Sequence, residues 1–180
     1  LLARDFANYW NHRLMHTKFV WGVHAIHHSD RHMTWTTSYR VHVLQSFVMM
    51  LGFAFIVLPL NLPGGTLALA GSITGVHNKY AHCQLEWTHG PLRKGIVSPN
   101  YHRWHHADTP EAYDKNIADM FVFWDRMFGT YYDPGICREK IGLPDGPDTL
   151  PEVMIYPFKY WLETYGPKKK TKPSEALPSA

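Results

Sequence analysis

Between Arg40 and Lys79 the chain carries no Lys, Arg, Asp or Glu. Within that window Val43 to Leu60 reads VLQSFVMMLGFAFIVLPL, and Gln45 and Ser46 are its only strongly polar positions. As a helix rising about 1.5 Å per residue, this 18-residue stretch would reach about 27 Å, close to the hydrocarbon thickness of a bilayer. Asn61-Leu62-Pro63-Gly64-Gly65 is a strong turn signal. From Thr66 to Val76 the chain resumes as an apolar helix rich in small residues (Ala68, Ala70, Gly71, Ser72, Gly75), which let helices approach closely inside a membrane. Residues 43–76 are therefore read as a helical hairpin dipping into or across the bilayer. The competing reading is a hairpin buried in a soluble bundle, for which the mean hydropathy of -0.29 speaks, although the polar flanks pull that average down.

The flanks carry helical patterns too. Residues 5–28 have helical spacing, with Phe6, Tyr9, Trp10 and Leu14 among polar positions. Ser98-Pro99-Asn100 marks a helix start. Asp119 to Met127 reads as a short amphipathic helix stopped by Gly129, and Asp125 with Arg126 is expected to tie that end together as an ion pair. From Asp133 the chain is rich in Pro and Gly. A last helix at about 151–165 carries Tyr156, Phe158, Tyr160 and Trp161, which suit a membrane interface or core packing. Residues 166–180, with Lys168-Lys169-Lys170, read as a disordered basic tail.

The expectation is an all-α fold with one domain over residues 1–165, a membrane-anchored helical bundle with a cytosolic histidine-rich cap. A hairpin returns the chain to the side it left, and both flanks are basic: Arg31 and Arg40 before it, Lys79, Arg93, Lys94 and Arg103 after it. That asymmetry places the cap on the cytoplasmic face. The first residue is not Met, and LLARDFANYWNH reads as helix interior, so the chain is expected to be truncated at its N-terminus and the lack of a signal peptide carries no weight.

Composition narrows the classes. Apolar residues at 45% and charged residues at 18% exclude a disordered chain, and 180 residues suit one domain. A net charge of +3 is too small to argue for nucleic acid. Cys83 and Cys137 lie far apart, so a disulfide scaffold or thiolate zinc site is not expected, and a reducing compartment fits. Histidine is the anomaly: 13 residues against 15 acids.

Most of them cluster. His12 and His16 form HxxxH; His24, His27 and His28 form HxxHH; His102, His105 and His106 form a second HxxHH. On a helix, i and i+4 share a face, while i+3 in HxxHH is displaced by about 100° from its neighbour at i+4. Each HxxHH thus suits bridging two metals better than binding one. A single histidine is ordinarily a packed or surface residue, but eight neutral imidazoles packed together would need eight separate hydrogen-bond solutions. Metal coordination by neutral imidazole resolves this. Eight or nine histidines exceed what one ion can use, so two ions are expected, in a redox or a hydrolytic centre. The residues alone leave iron and zinc open. Asp30, Glu86, Asp108, Asp119 and Asp125 are close enough in sequence that two or three are expected to accept the imidazoles' other N–H.

HRLMH, HAIHHSD, the apolar hairpin, SPNYHRWHHAD and WDRMFGTYYD together resemble the membrane-bound fatty acid hydroxylase / sterol desaturase superfamily over nearly all of residues 5–165. The resemblance implies a membrane-anchored helical fold with two irons held by histidines. It implies O2 as co-substrate, electrons from a separate donor such as cytochrome b5 or a ferredoxin, and hydroxylation or desaturation of a fatty acyl chain, sterol or alkylglycerol. It maps the ligands onto His12, His16, His24, His27, His28, His102, His105 and His106, and adds His82, which precedes Gly90-Pro91-Leu92. Asn78 stands where some relatives place a tenth ligand and could donate its side-chain carbonyl; His77 is left out; His42 is either second to the ligands, substrate-facing or simply packed. His32 and His89 are expected at the surface or beside the ligands. Thr17 stands where the alkylglycerol-type members carry Glu. The alternatives are a bimetal hydrolase or a membrane protein that binds zinc without turnover, zinc by misloading being compatible with the first reading too.

Overall fold

The computed structural model describes residues 1–167. Seven α-helices are joined by turns and short 3-10 segments: α1 (Leu2–Met15), α2 (Trp21–His28), α3 (Val43–Val57), α4 (Gly64–Ala81), α5 (Pro99–His105), α6 (Phe123–Phe128) and α7 (Leu150–Tyr165). The described residues hold no strand, only the isolated bridges Ile96–Phe121 and Ala107–Ile141. The all-α expectation is met. The basic-tail expectation lies outside the described residues except for Gly166 and Pro167.

Local chemistry accounts for most boundaries. Ser98 caps α5 by accepting from Tyr101 N at 3.1 Å, with Pro99 in the first turn. Thr149 and Glu152 form a capping box on α7. Gly129, at φ +78°, ends α6 in a left-handed conformation that a Cβ would oppose. The 5–28 pattern, however, is two helices. The chain leaves the helix at His16 and turns through Thr17–Val20 before α2 begins. That turn folds α2 back so that its histidines face those of α1. The expected helix at 119–127 starts only at Phe123, because the buried Asp5 carboxylate takes the N–H groups of Met120 (3.0 Å) and Phe121 (3.1 Å) as well as Trp124 Nε1 (2.8 Å).

The apolar window forms one continuous stretch, Val43–Leu60, with a mean hydropathy of 2.2 and only 11% of it buried. It is the one helix among the described residues long and apolar enough to cross a membrane. The described fold leaves this segment largely uncovered, unlike a core helix packed within it; Phe55, for example, is 82% exposed. Gly64 and Gly65, read as part of the turn, instead open α4. The two arms are not zipped together by small residues. Gly52 of α3 meets α1, where an added Cβ would fall on the Asn11 side-chain amide. Gly71 of α4 faces the Arg4 guanidinium, where an added Cβ would lie 3.5 Å from Cζ. Thus α1 runs between the arms, and a cavity of about 270 Å³ lies among α1, α3 and α4. Beneath it a core of Tyr9, Ala81, Val97, Tyr101, Ile117, Ala118 and Val122 ties α1, α4 and α5 to the 117–122 segment.

Candidate metal centre

All nine histidines expected as ligands converge, in two adjoining groups. His12, His16, His24, His28 and His105 form one; His27, His82, His102 and His106 form the other. Within each group the candidate donor atoms lie within 4.8 Å of one another. The two HxxHH motifs interleave. In α2 the i and i+4 residues, His24 and His28, enter the first group and His27 the second. Across α5 and its cap His102 and His106 enter the second group and His105 the first. The groups touch through His28 and His106, whose rings stack at 4.4 Å.

The spacing suits coordination. Two ligand nitrogens held about 2.1 Å from one ion at a right angle would lie about 3.0 Å apart. His12 and His24 Nε2 are 3.1 Å apart, His24 and His28 3.2 Å, His27 and His82 3.1 Å, and His82 and His102 3.0 Å. Nε2 of His16, His105 and His106 is buried with no hydrogen-bond partner. Orphaned buried acceptors cost about 1–3 kcal/mol each unless something else occupies their lone pairs. Burial favours the neutral form of His12, His24, His27, His28, His82, His102, His105 and His106. Burial, with His16 and His82 nearby, lowers His12 to about 3. His24, His27, His28, His102, His105 and His106 are pushed well below the ordinary value, burial again being the main cause. Burial also lowers His82, against the Asn78 carbonyl.

The outer nitrogens explain which tautomer is present. A carbonyl can only accept, so each ring beside one carries its proton on Nδ1 and turns a free Nε2 lone pair inward. His12 Nδ1 donates to Ile117 O, His82 Nδ1 to Asn78 O and His105 Nδ1 to Lys115 O, each at 2.7 Å. His24 Nδ1 meets Gln45 Oε1 at 3.1 Å. His16 Nδ1 meets Asp114 Oδ1 at 3.0 Å, and that hydrogen bond lowers the Asp114 carboxyl.

Three of these acceptors, Asp114, Lys115 and Ile117, come from one short loop, and all three serve the first group. Sequence reasoning missed this loop. Asn116 turns it at φ +54°, and its side chain bonds Tyr101 O, Tyr132 O and Tyr132 N. Asp125 anchors its far side, accepting from Ile117 N at 2.8 Å, Ala118 N at 3.1 Å, Tyr101 Oη at 3.0 Å and Thr130 Oγ1 at 2.6 Å. The expected Asp125–Arg126 ion pair is absent among the described residues, where Arg126 instead lies over the Tyr131 ring. None of the five carboxylates named from sequence accepts an imidazole N–H. Asp30 is engaged by Thr37, Asp108 by Tyr113, Asp119 by Asn8 and Asn78, Asp125 as above, and Glu86 is exposed. Three backbone carbonyls, the Gln45 amide oxygen and a carboxylate not singled out from sequence, Asp114, do the orienting instead.

The remaining polar candidates fall outside both groups. Asn78 commits its side-chain amide to Asp119 at 2.8 Å. His42 caps α3, accepting from Leu44 N at 3.1 Å. His77 lies beside Tyr80, His89 accepts from Tyr80 Oη at 2.6 Å, and His32 is exposed. The 270 Å³ cavity reaches both groups, touching His12 and His24 on one side and His27, His82 and His102 on the other; Arg4, Asn8, Gln45, Met49 and Lys79 complete much of its wall. A second cavity of about 530 Å³ approaches His16, His28, His105 and His106 from the opposite side.

Comparison with known proteins identifies relatives of this chain. The chain is 33% identical over 131 residues to alkylglycerol monooxygenase of Danio rerio, covering 72% of this chain and 29% of that protein. It is 31% identical over 139 residues to ornithine lipid hydroxylase OlsE of Rhizobium tropici, covering 74% and 41%. It is 32% identical over 147 residues to methylsterol monooxygenase 2-2 of Arabidopsis thaliana, covering 77% and 52%. The chain thus spans only 29% to 52% of the length of these relatives. No solved structure matches it. The fatty acid hydroxylase family model matches residues 1–130, the segment that supplies every residue of both histidine groups, and the chain belongs to that family.

Proposed function

We propose that this chain is the metal-bearing part of an O2-dependent lipid hydroxylase or desaturase, with His12, His16, His24, His28 and His105 holding one iron and His27, His82, His102 and His106 the other. The observation that carries the reading is the interleaving of two HxxHH motifs across two all-imidazole groups beside a cavity among α1, α3 and α4. Iron in such a centre supplies the activation of O2 that attack on an unactivated C–H bond requires. The protein's own work is positioning and exclusion. The loop acceptors fix the rings of the first group, the burial of the rings limits water at the site, and the cavity wall holds one carbon of a lipid near both groups. The substrate enters beside α3 and α4, from a bilayer in which that hairpin is embedded, with the histidines at its cytoplasmic face. The relatives' names, as an alkylglycerol monooxygenase, an ornithine lipid hydroxylase and a methylsterol monooxygenase, support a lipid substrate. With no haem or nucleotide motif in the sequence, electrons come from a separate donor of the cytochrome b5 or ferredoxin kind.

A zinc hydrolase would ordinarily include carboxylate ligands; both groups here are nitrogen only. The test combines metal content, reductant-dependent O2 uptake, and lipid mass spectrometry of cells with and without the intact gene. Two irons per chain, O2 consumption and a lipid differing by one oxygen or one double bond are the expected results. Tightly held zinc that iron cannot replace, with no O2 uptake and no lipid change, would overturn the proposal.

A further inference from the structure

Helix α7 has three faces where a surface helix ordinarily has two. At about 100° per residue, Tyr156, Pro157 and Tyr160 fall on the side packed toward α2. Tyr160 Oη donates to Lys18 O at 2.9 Å, and its ring occupies the space a Cβ on Gly22 would need. Glu152, Lys159 and Glu163 form a charged strip beside this face. The third face spans about 100° of the helix and holds Met154, Ile155, Phe158, Leu162 and Tyr165, all between 47% and 68% exposed. Nothing in the described fold covers it. A second apolar face, complete and free of charge, is a surface shaped for contact rather than for water.

Its position says what covers it. His42 caps the start of α3, and the same imidazole reaches Met154 O at 3.4 Å with Nε2. The α7 helix therefore abuts the foot of α3, where the exposed side chains of the apolar span begin with Val43 and Phe47. Met154 belongs to the apolar face of α7, so that face has a residue beside the start of α3. Trp161, with its indole N–H donating to Phe19 O at 2.7 Å, and Tyr165 sit on the margin of the face, the amphipathic residues favoured at a lipid–water boundary.

We propose that α7 lies in the plane of the bilayer interface with its Phe158–Leu162 face seated on lipid, at the level where α3 enters the membrane. The inference rests on reading α3 as membrane-embedded. The partner is the lipid surface, and the charged strip of Glu152, Lys159 and Glu163 faces water.

Collisional accessibility of nitroxide labels tests it. The full chain is reconstituted in nanodiscs of phosphatidylcholine and phosphatidylglycerol, in a Cys83→Ser, Cys137→Ala background. Labels are placed singly through Phe55→Cys on α3, Phe158→Cys and Leu162→Cys on the apolar face, and Glu163→Cys on the charged strip. The ratio of collisions with O2 to collisions with a water-soluble chromium complex is expected to be several-fold higher at 158, 162 and 55 than at 163. Labels at 158 and 162 that behave like 163 while 55 reads as lipid would overturn the α7 proposal and leave α3 in the membrane. Label 55 reading as water would overturn both. Labels at 158 and 162 shielded from both agents would show a protein neighbour on this face and also refute lipid contact. Should the cysteine replacements unfold the chain, a benzophenone residue at 158 in the native-cysteine chain decides the point: photo-adducts with lipid support the proposal, and adducts confined to protein overturn it.

Discussion

The Asp125→Asn substitution isolates the contribution of the loop that orients the first histidine group. Asp125 is fully buried, and its two oxygens divide four donors: Ile117 N and Thr130 Oγ1 on one, Ala118 N and Tyr101 Oη on the other. An amide keeps the shape and one acceptor. Whichever way it turns, its NH2 faces one hydroxyl and one backbone N–H. The hydroxyl can rotate and accept, but the backbone N–H cannot. One buried N–H is left orphaned, at a cost of about 1–3 kcal/mol. The orphan lies at Ile117 or Ala118, so the loss falls on the segment whose carbonyl orients His12 at 2.7 Å. Disturbing such an outer partner typically weakens metal binding by about 10–100-fold. Only the first group depends on this loop, so the variant should retain the second group's metal while losing the first. Metal titration followed by elemental analysis would show a fall from two equivalents toward one under limiting metal, with thermal unfolding shifted by a few degrees. Equal weakening of both equivalents, or a destabilised fold with both affinities unchanged, would refute the assignment of the loop to one group.

Ligand substitutions should divide in the same way. His105→Ala is expected to empty the first group and His82→Ala the second, each abolishing turnover, whereas exposed His32 tolerates Ala with little effect; metal stoichiometry of the purified variants checks this. Without metal, the chain should lose stability as pH falls below about 6.5. Its eight depressed histidines stay neutral when folded but take protons when unfolded, so the unfolded state binds more protons there, at about 1.4 kcal/mol per group per pH unit. Asp5 and Asp125, raised by burial to about 7 and about 6, act in the opposite sense but are two groups against eight. The expected unfolding midpoint of the metal-free chain lies between pH 5 and 6.5 by circular dichroism, and a flat profile across that range would contradict it. Gly52→Ala should separate α3 from α1, since its Cβ would fall on the Asn11 amide. A destabilisation of about 1–3 kcal/mol is expected in thermal melts, against no measurable change for Gly64→Ala, which has open space around it.

Eight of the nine candidate ligands, the expectation of two ions and the helical class follow from spacing, whereas His82 entered only through the family resemblance. An i, i+3, i+4 set turns its i+3 ring about 60° from i and about 100° from i+4, whatever packs around it, and the structure shows His27 and His105 crossing between groups. Likewise, an uninterrupted apolar run has few soluble solutions, and Val43–Leu60 is accordingly left uncovered by its own fold. Spacing carries no information about partners remote in the chain. The break at His16 that folds α2 back, the acceptors at Asp114, Lys115 and Ile117, and the anchoring of their loop by Asn116 and Asp125 emerge only in three dimensions. The orienting groups are mostly backbone carbonyls, which every residue possesses and no residue type reveals. The same limit applies to α7, whose aromatic residues read alike as core or surface until packing against α2 leaves a second apolar face unmatched. Short-range periodicity sets which side chains share a face; only the folded chain decides what each face meets, because that depends on contacts between residues more than a hundred positions apart, such as His12 with Ile117 and Tyr160 with Lys18.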